Sequence, residues 1–433
     1  MFIHTLSSDV FRLAVSRTTP VSTITICQGS RRFHLRARLA TTPEETAFIA
    51  EYNLPADGGL PVSIAGPNEL SKSLEPGWSV EKGTSQKSHF HSECGWMNDP
   101  NGLFFLDGEW HVFYQFNPLG VSWDNMHWGH AVSKDLKNWR HLPIALHPDE
   151  YGVMYSGSAV VDKKGVAGFG KEAVLLYYTN CDVETHKGTQ CLAVSTDRGH
   201  FFRKYSGGLP IIGNITGECD RDPNIAWDPQ ASIWRMALYL GAGRSKSSFL
   251  LLESSDLIHW TPTDIYDIPE GAECPGIRPM VDEETGDLCW LFTEASGRYR
   301  IGRFSERGKV GFASETKRFL YGNAYAGQAF FGTPLGKNIY LSWIRMAPSP
   351  KRAWTGCLST PMELHLRNGE LFVSPFLELT DASTAKLDGF LELTPEGAAG
   401  TGRVLSDTFS TEYFDDSGRF AVAIHAENGK HLC

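Results

Sequence analysis

A short phrase, Ser-x-Asp-x-x-x-aromatic, recurs along this chain and limits what it can fold into. It reads SKDLKNW from Ser133, STDRGHF from Ser195 and SSDLIHW from Ser254, so the copies lie 62 and 59 residues apart (133 to 195, 195 to 254). Each copy closes a similar set of strand signals, and a period of that size marks one supersecondary unit repeated around an axis. Alignment on the phrase gives five units, opening at NDPNGLFF, YSGSAVVD, RDPNIAWD, ECPGIRPMVD and GQAFFGTPL. After a turn, each continues into an aromatic strand: WHVFYQF, AVLLYYTN, WRMALYL, LCWLFTE and IYLSWIRM. Turn residues such as Asp107-Gly108 separate the runs, and no convincing amphipathic helix interrupts them between residues 90 and 376. Five four-stranded units predict an all-β chain built on a five-bladed β-propeller, whose closed ring leaves only short, protected edges.

If the first strand of each blade lines the central channel, residues far apart in sequence meet at one mouth. Asp99, Ser156, Asp222 and Glu273 hold related positions at four of the strand openings, although the acids are 123 and 51 residues apart (99 to 222, 222 to 273). Asp99 lies in the stretch WMNDPNG, where Asn, Asp, Pro and Gly also suit a simple turn before the hairpin through Asp107-Gly108. Three acids recurring at strand openings are more than turns require. Carboxylates crowded around a pocket repel one another, so their pKa values should split. One protonated acid beside one ionised carboxylate is what cleavage of a glycosidic bond needs. Arg221, next to Asp222, is expected to keep that acid charged. Asn98, Gln115, Trp123, Ser156 and Trp343 could supply hydroxyl contacts and an apolar wall.

Composition removes several other classes. A net charge of −10 with no basic stripe argues against a nucleic-acid partner. No apolar run reaches the 18 or so residues of a membrane span. The nine cysteines are odd in number and form no CxxC pair, so Cys94, Cys181, Cys191, Cys219, Cys274, Cys289 and Cys357 read as small buried thiols of a reducing compartment. The first residues lack an apolar core and cleavage site of signal-peptide type, which points to a cytoplasmic location.

WMNDPNG, NMHWGHAVSKDLKNW, YSGSAVVD, DRDP and ECPG together resemble the signature blocks of glycoside hydrolase family 32, in that family's order and over about residues 88–380. The resemblance implies a retaining β-fructofuranosidase of the invertase, exo-inulinase and levanase kind. It implies Asp99 as nucleophile, Glu273 as general acid and then base, and Asp222 as the acid that binds fructose hydroxyls and stabilises the transition state. It places Asn98, Gln115, Trp123, Ser156, Arg221 and Trp343 around the fructose subsite. It implies no metal or organic cofactor, and a carbohydrate, sucrose or fructan, as the only partner; it says nothing of oligomeric state. Trp128 reads as packing, and His127 and His130 as structural. NMHWGHAVSKDL and SGSAVVD sound closer to the exo-inulinase and levanase branch than to the sucrose-6-phosphate branch.

The sequence also departs from the pattern. Tyr155 stands where Phe is usual, Ala272 precedes the ECP block where Trp is usual, and Gly276 follows it where Asp is usual. Fructosyl transfer on the same acids, or a dead, fructan-binding site, are the alternative readings. Residues 89–376 are expected to form the propeller and 377–433 the first strands of a C-terminal β-sandwich, apparently cut short and so with open edges. Residues 1–88 are an extension outside the resemblance. Within it TITICQGSRRFHLRARL and GLPVSIAG suggest strands, and TTPEETAFIAEYN a short capped helix.

Overall fold

A computed structural model of the chain describes every residue except 30, 55–59, 81–82, 244, 246, 379–382, 387–399, 428–429 and 432–433. Five sheets radiate around one axis. Their innermost strands are Gly95–Leu106, Val153–Asp162, Arg221–Asp228, Gly276–Val281 and Ala324–Ala329, and each sheet continues outward in antiparallel order. These are blades 1 to 5 of a five-bladed β-propeller. The fifth inner strand opens at Ala324, three residues before the repeat alignment put it, which brings Tyr325 into the strand.

The second strands show why these runs look continuously apolar. All nine residues of Ala173–Cys181 in blade 2 are buried, because neighbouring blades cover both faces of the sheet. Alternate side chains serve opposite neighbours. Leu176 and Tyr178 pack with Phe104, Phe113 and Trp128 of blade 1, while Leu175 and Tyr177 pack with Met236 and Leu238 of blade 3. Similar apolar layers fill the junctions of blades 3 and 4, 4 and 5, and 5 and 1. The recurring phrase is the turn from third to fourth strand. In blade 1 Ser133 Oγ accepts the N–H of Leu136 at 2.9 Å and Asp135 accepts those of Lys137 and Asn138; Ser254 and Asp256 repeat the arrangement in blade 3. Blades 4 and 5 lack the phrase; their third and fourth strands are joined by Ser305–Lys309 and by the two-residue hairpin Asn368–Gly369.

The ring closes through a segment of blade 5. Trp354–Thr355 pairs in parallel with Gly95–Trp96 of the innermost strand of blade 1. Asp99 lies on that strand.

Residues 1–74 form a compact β unit. Val21–Gln28 and Arg31–Arg38 make a hairpin flanked by Val62–Gly66 and Phe2–Thr5, and Val10–Ser16 pairs with Thr46–Asn53. The helix expected at TTPEETAFIAEYN is instead this last strand. Its burial alternates, with Phe48, Ala50 and Tyr52 inside, so period-2 packing against Phe11, Ile26 and Ile64 overrides the acidic capping pattern at Glu44-Glu45. The unit rests on blade 1: Tyr52 Oη lies 2.8 Å from His127 Nε2, and Asn125 exchanges two hydrogen bonds with the Arg36 backbone.

Beyond the propeller, Ser383–Lys386, Thr401–Ser406, Ser410–Asp415 and Ala421–Glu427 form one sheet. The expected strand DGFLELTP lies outside the described residues. Open edges are expected of this part of the chain; at Ala421–Ala423 the edge is paired, in parallel, with Leu320–Gly322 of the propeller. Buried His89 bridges Asp407 and Glu412 at 3.0 and 2.7 Å and locks this sheet to the start of blade 1.

Candidate active site

At one mouth of the channel, the pairing of inner and second strands slips at matching places. The shifts fall between Met97 and Pro100, Tyr155 and Gly157, Arg221 and Asn224, and Tyr325 and Gln328. In blade 4 regular pairing starts only at Gly276, just past Glu273-Cys274-Pro275. Such bulges turn side chains out of the alternating pattern and toward the axis. Asp222 and Cys274 adopt φ of 64° and 52°, a left-handed conformation that costs a residue with a Cβ about 1–2 kcal/mol. A layer of polar clamps just below holds the strands in place. Asn101 Oδ1 accepts the Gly157 N–H, Ser158 Oγ that of Ile225, and Asn224 Oδ1 that of Ile277, while Gln328 donates to the Gly157 carbonyl. Each clamp crosses from one blade to another, so the strained mouth sits on a rigid floor.

All nine residues singled out from the sequence line one pocket of about 400 Å³: Asn98, Asp99, Gln115, Trp123, Ser156, Arg221, Asp222, Glu273 and Trp343. Asp99 accepts hydrogen bonds from Ser156 Oγ at 2.7 Å and Asn98 Nδ2 at 3.1 Å. Trp96 Nε1 holds Asn98 Oδ1 in turn. Asp222 Oδ2 accepts the Cys274 N–H at 3.2 Å, and the Cys274 thiol lies 3.5 Å from Asp99 Oδ2 and 3.4 Å from Asp222 Oδ2. Glu273 is gripped from both sides, by the Arg221 guanidinium on Oε2 and by Tyr325 Oη on Oε1 at 3.1 Å. The Arg221 guanidinium carbon itself lies over the Tyr239 ring, 4.3 Å from its centre. Gln115 is buried and donates to the Met154 carbonyl. Trp343 packs edge-on against Trp96 and Tyr325, and its Nε1 has no hydrogen-bond partner among the described residues. Trp123 is 54% exposed at the rim beside Tyr155. Trp128, His127 and His130 stay in the interior, away from the pocket.

Burial raises Asp99, with the Glu273 charge adding to it and the Ser156 hydrogen bond opposing it. Burial likewise pushes Asp222 up to about 8, against the pull of Arg221 and with the charges of Glu273 and Asp99 adding. The expectation that Arg221 keeps Asp222 charged is therefore corrected. Arg221 lies 3.6 Å from Asp222 Oδ2 but gives its hydrogen bonds to Glu273 and to the Cys219 carbonyl, and the loss of water around Asp222 outweighs the remaining attraction. The Cys274 thiol is held protonated by burial and by the acids around it, so it acts as a donor between them.

Tyr325 and Cys274 are the residues that sequence reasoning missed. Both had a signal, since Cys274 sits inside the ECP block and Tyr325 occupies the bulge of the fifth inner strand. Tyr155, Cys181, His186 and Cys219 complete the lining.

A five-bladed propeller with three acids converging at the bulged mouth of its inner strands defines a class of enzyme-like scaffold, and comparison with known proteins gives it a family. Residues 89–375 match the glycosyl hydrolases family 32 N-terminal domain, and the chain belongs to that family. It is 36% identical over 282 residues to a levanase of Bacillus subtilis and 36% identical over 220 residues to an invertase of Schizosaccharomyces pombe. These matches cover 63% and 47% of this chain but only 40% and 37% of those proteins' own lengths. Among solved structures, exo-inulinase from Aspergillus awamori superposes with a TM-score of 0.69 at 19% identity, over 82% of this chain and 95% of that one. Fructan 1-exohydrolase IIa from Cichorium intybus gives 0.66 at 20% identity, covering 82% and 94%.

Proposed function

We propose that this chain is a retaining β-fructofuranosidase that releases terminal fructosyl units from sucrose or from levan- and inulin-type fructans. The observation that carries the reading is the convergence of Asp99, Asp222 and Glu273 on one pocket of a family 32 propeller. In the first step the Asp99 carboxylate attacks the anomeric carbon of the fructosyl unit. The bond to the leaving oxygen breaks, and Glu273 gives that oxygen its proton. In the second step Glu273, now ionised, takes a proton from water, whose oxygen displaces Asp99 from the sugar. Asp222 accepts hydrogen bonds from fructose hydroxyls that strengthen as charge develops on the ring. Ser156 and Asn98 aim the Asp99 oxygens.

Burial raises the carboxyls of both Asp99 and Asp222, so the ionised Asp99 that attacks the sugar forms against the cost of desolvation. A fructosyl ring that donates hydroxyls to Asp222 stabilises its ionised form. Arg221, the one Lys or Arg among the described lining residues, is already committed to Glu273.

The test is fructose release by the purified chain from sucrose, inulin and levan, each measured separately, with Asp99→Ala as control. Activity lost in the control supports the reading, and the order of substrates names the branch. Absence of release from all three, in a folded protein, would sink it. Transfer of fructose to a sugar acceptor instead of water would replace hydrolysis with the transferase alternative.

A further inference from the structure

The turn from inner to second strand of blade 1, at Asp107-Gly108, lies at the end of the blade away from the pocket. Glu109 and His111 follow it, two residues apart on one strand, so their side chains leave the same face of the sheet. His200 reaches them from the neighbouring blade, on the turn between Gly188–Ser195 and Arg203–Lys204. One potential ligand atom from each of the three lies within 4.8 Å of the others. Glu109 Oε2 and His200 Nε2 are 3.3 Å apart, and the His111 and His200 rings meet edge-on at 5.5 Å.

We propose that Glu109, His111 and His200 form a zinc-class metal site that ties blade 1 to blade 2 at the end of the propeller opposite the pocket. Two imidazoles and one carboxylate suit a borderline ion such as Zn²⁺, whereas Ca²⁺ and Mg²⁺ ask for more oxygen ligands than this cluster offers. A tetrahedral ion with bonds of about 2.0–2.1 Å needs its ligand atoms about 3.4 Å apart. Glu109 and His200 already stand at that spacing. Bringing the His111 nitrogen, which lies within 4.8 Å of both, to that spacing takes a small movement of the Glu109 and His200 side chains, and His200 sits exposed on a turn.

His111 is built as a ligand should be. It is buried, stacked on Phe104 at 4.2 Å, and its Nδ1 lies 3.1 Å from His130 Nε2. An Nδ1–H donated to His130 leaves Nε2 with a lone pair, the role that a neighbour's hydrogen bond plays for metal-bound histidines. Arg140 lies 4.0 Å from the other Glu109 oxygen, but its side chain is largely in water, where its repulsion of an ion is screened. Three protein ligands leave a fourth position for water.

The experiment uses the full chain, stripped with a chelator and titrated with ZnCl₂ by calorimetry, alongside thermal melts with and without zinc. One zinc per chain and a zinc-dependent rise in Tm are expected for the native sequence. His200→Ala and Glu109→Gln should each weaken binding by at least about tenfold and remove the rise in Tm. Both positions reach solvent, so the zinc-free variants should melt close to the zinc-free native protein. CaCl₂ at the same concentration should not shift Tm. A native protein with no zinc-dependent change overturns the proposal, and so does a zinc effect that both variants retain in full. Neither readout involves fructose release, so failure here is distinct from failure of the fructosidase reading.

Discussion

Asp162 and Asp222 belong to adjacent inner strands and are both buried, yet they live in opposite circumstances. Asp162 ends its strand at the far side of the propeller, where its two oxygens accept the N–H groups of Gly165 and Ala167, each at 2.8 Å. Asp135, Asp256 and Asp282 serve turns in the same way, and Asp282 collects four backbone donors. For Asp282 those donors outweigh the penalty of burial and hold the carboxyl below its usual range. Asp222 opens its strand at the pocket, with one backbone N–H and one thiol for company, and is pushed up to about 8. The difference is the supply of fixed donors. An acid saturated by backbone is a structural pin; an acid starved of donors keeps its lone pairs for a ligand and stays destabilised until one comes.

The contrast breaks if acids at the mouth can be removed as cheaply as ordinary surface residues. Asp99→Ala should lower turnover on the preferred fructoside by about four orders of magnitude or more, measured as kcat, because no group remains to attack the sugar. Glu273→Gln should cost about 10²–10⁴ in kcat, and the loss should be smaller for substrates whose leaving group needs no proton, such as an activated aryl fructoside. Asp222→Asn should lower kcat by at least about 100-fold with a milder change in KM, since its contacts tighten in the transition state.

The same variant sharpens the comparison through stability. A carboxyl whose folded pKa lies above its unfolded value favours folding while protonated. Its penalty is absent below about pH 4 and grows as the pH rises toward about 8. Asp222→Asn should therefore match the native protein's Tm in acid and exceed it near pH 8, by roughly 2–4 °C for each kcal/mol relieved. A melt that shows no gain at pH 8 would remove the claim that Asp222 is held at a cost. At the other end, Asp162→Ala should cost about 1–3 kcal/mol in chemical denaturation, by stranding two backbone donors, while kcat per folded molecule stays the same.

Much of this was legible because the blade is a short unit written several times. SKDLKNW, STDRGHF and SSDLIHW gave the period since each turn needs a Ser and an Asp at fixed offsets to accept its own N–H groups. The aromatic second strands stood out because they are covered on both faces. Asp99, Asp222 and Glu273 were readable as strand openings, and the resemblance assigned their roles. The bulges were not readable: a slip in pairing is a property of two strands together, and the residues at Met97, Tyr155 and Arg221 are ordinary for straight pairing. Arg221 misled for a related reason. Adjacency in sequence suggested Asp222 as its partner, while the twist of the bulged strand turns it to Glu273 across the gap between blades. The strand Thr46–Asn53 was mistaken for a helix because two glutamates after Thr-Pro imitate a capping pattern, and the alternation of Phe48, Ala50 and Tyr52 carried the stronger information.

The parallel pairing of Trp354–Thr355 with Gly95–Trp96 has a consequence for the chain as it is made. The strand that bears Asp99 leaves the ribosome some 260 residues ahead of its partner (95 to 355). At about 5–20 residues per second that is a wait of roughly 10–50 s, during which early blades can collapse in order but the ring stays open. The seam that closes the ring is thus the one beside Asp99, and the early blades of a nascent chain should collapse well before the pocket is finished.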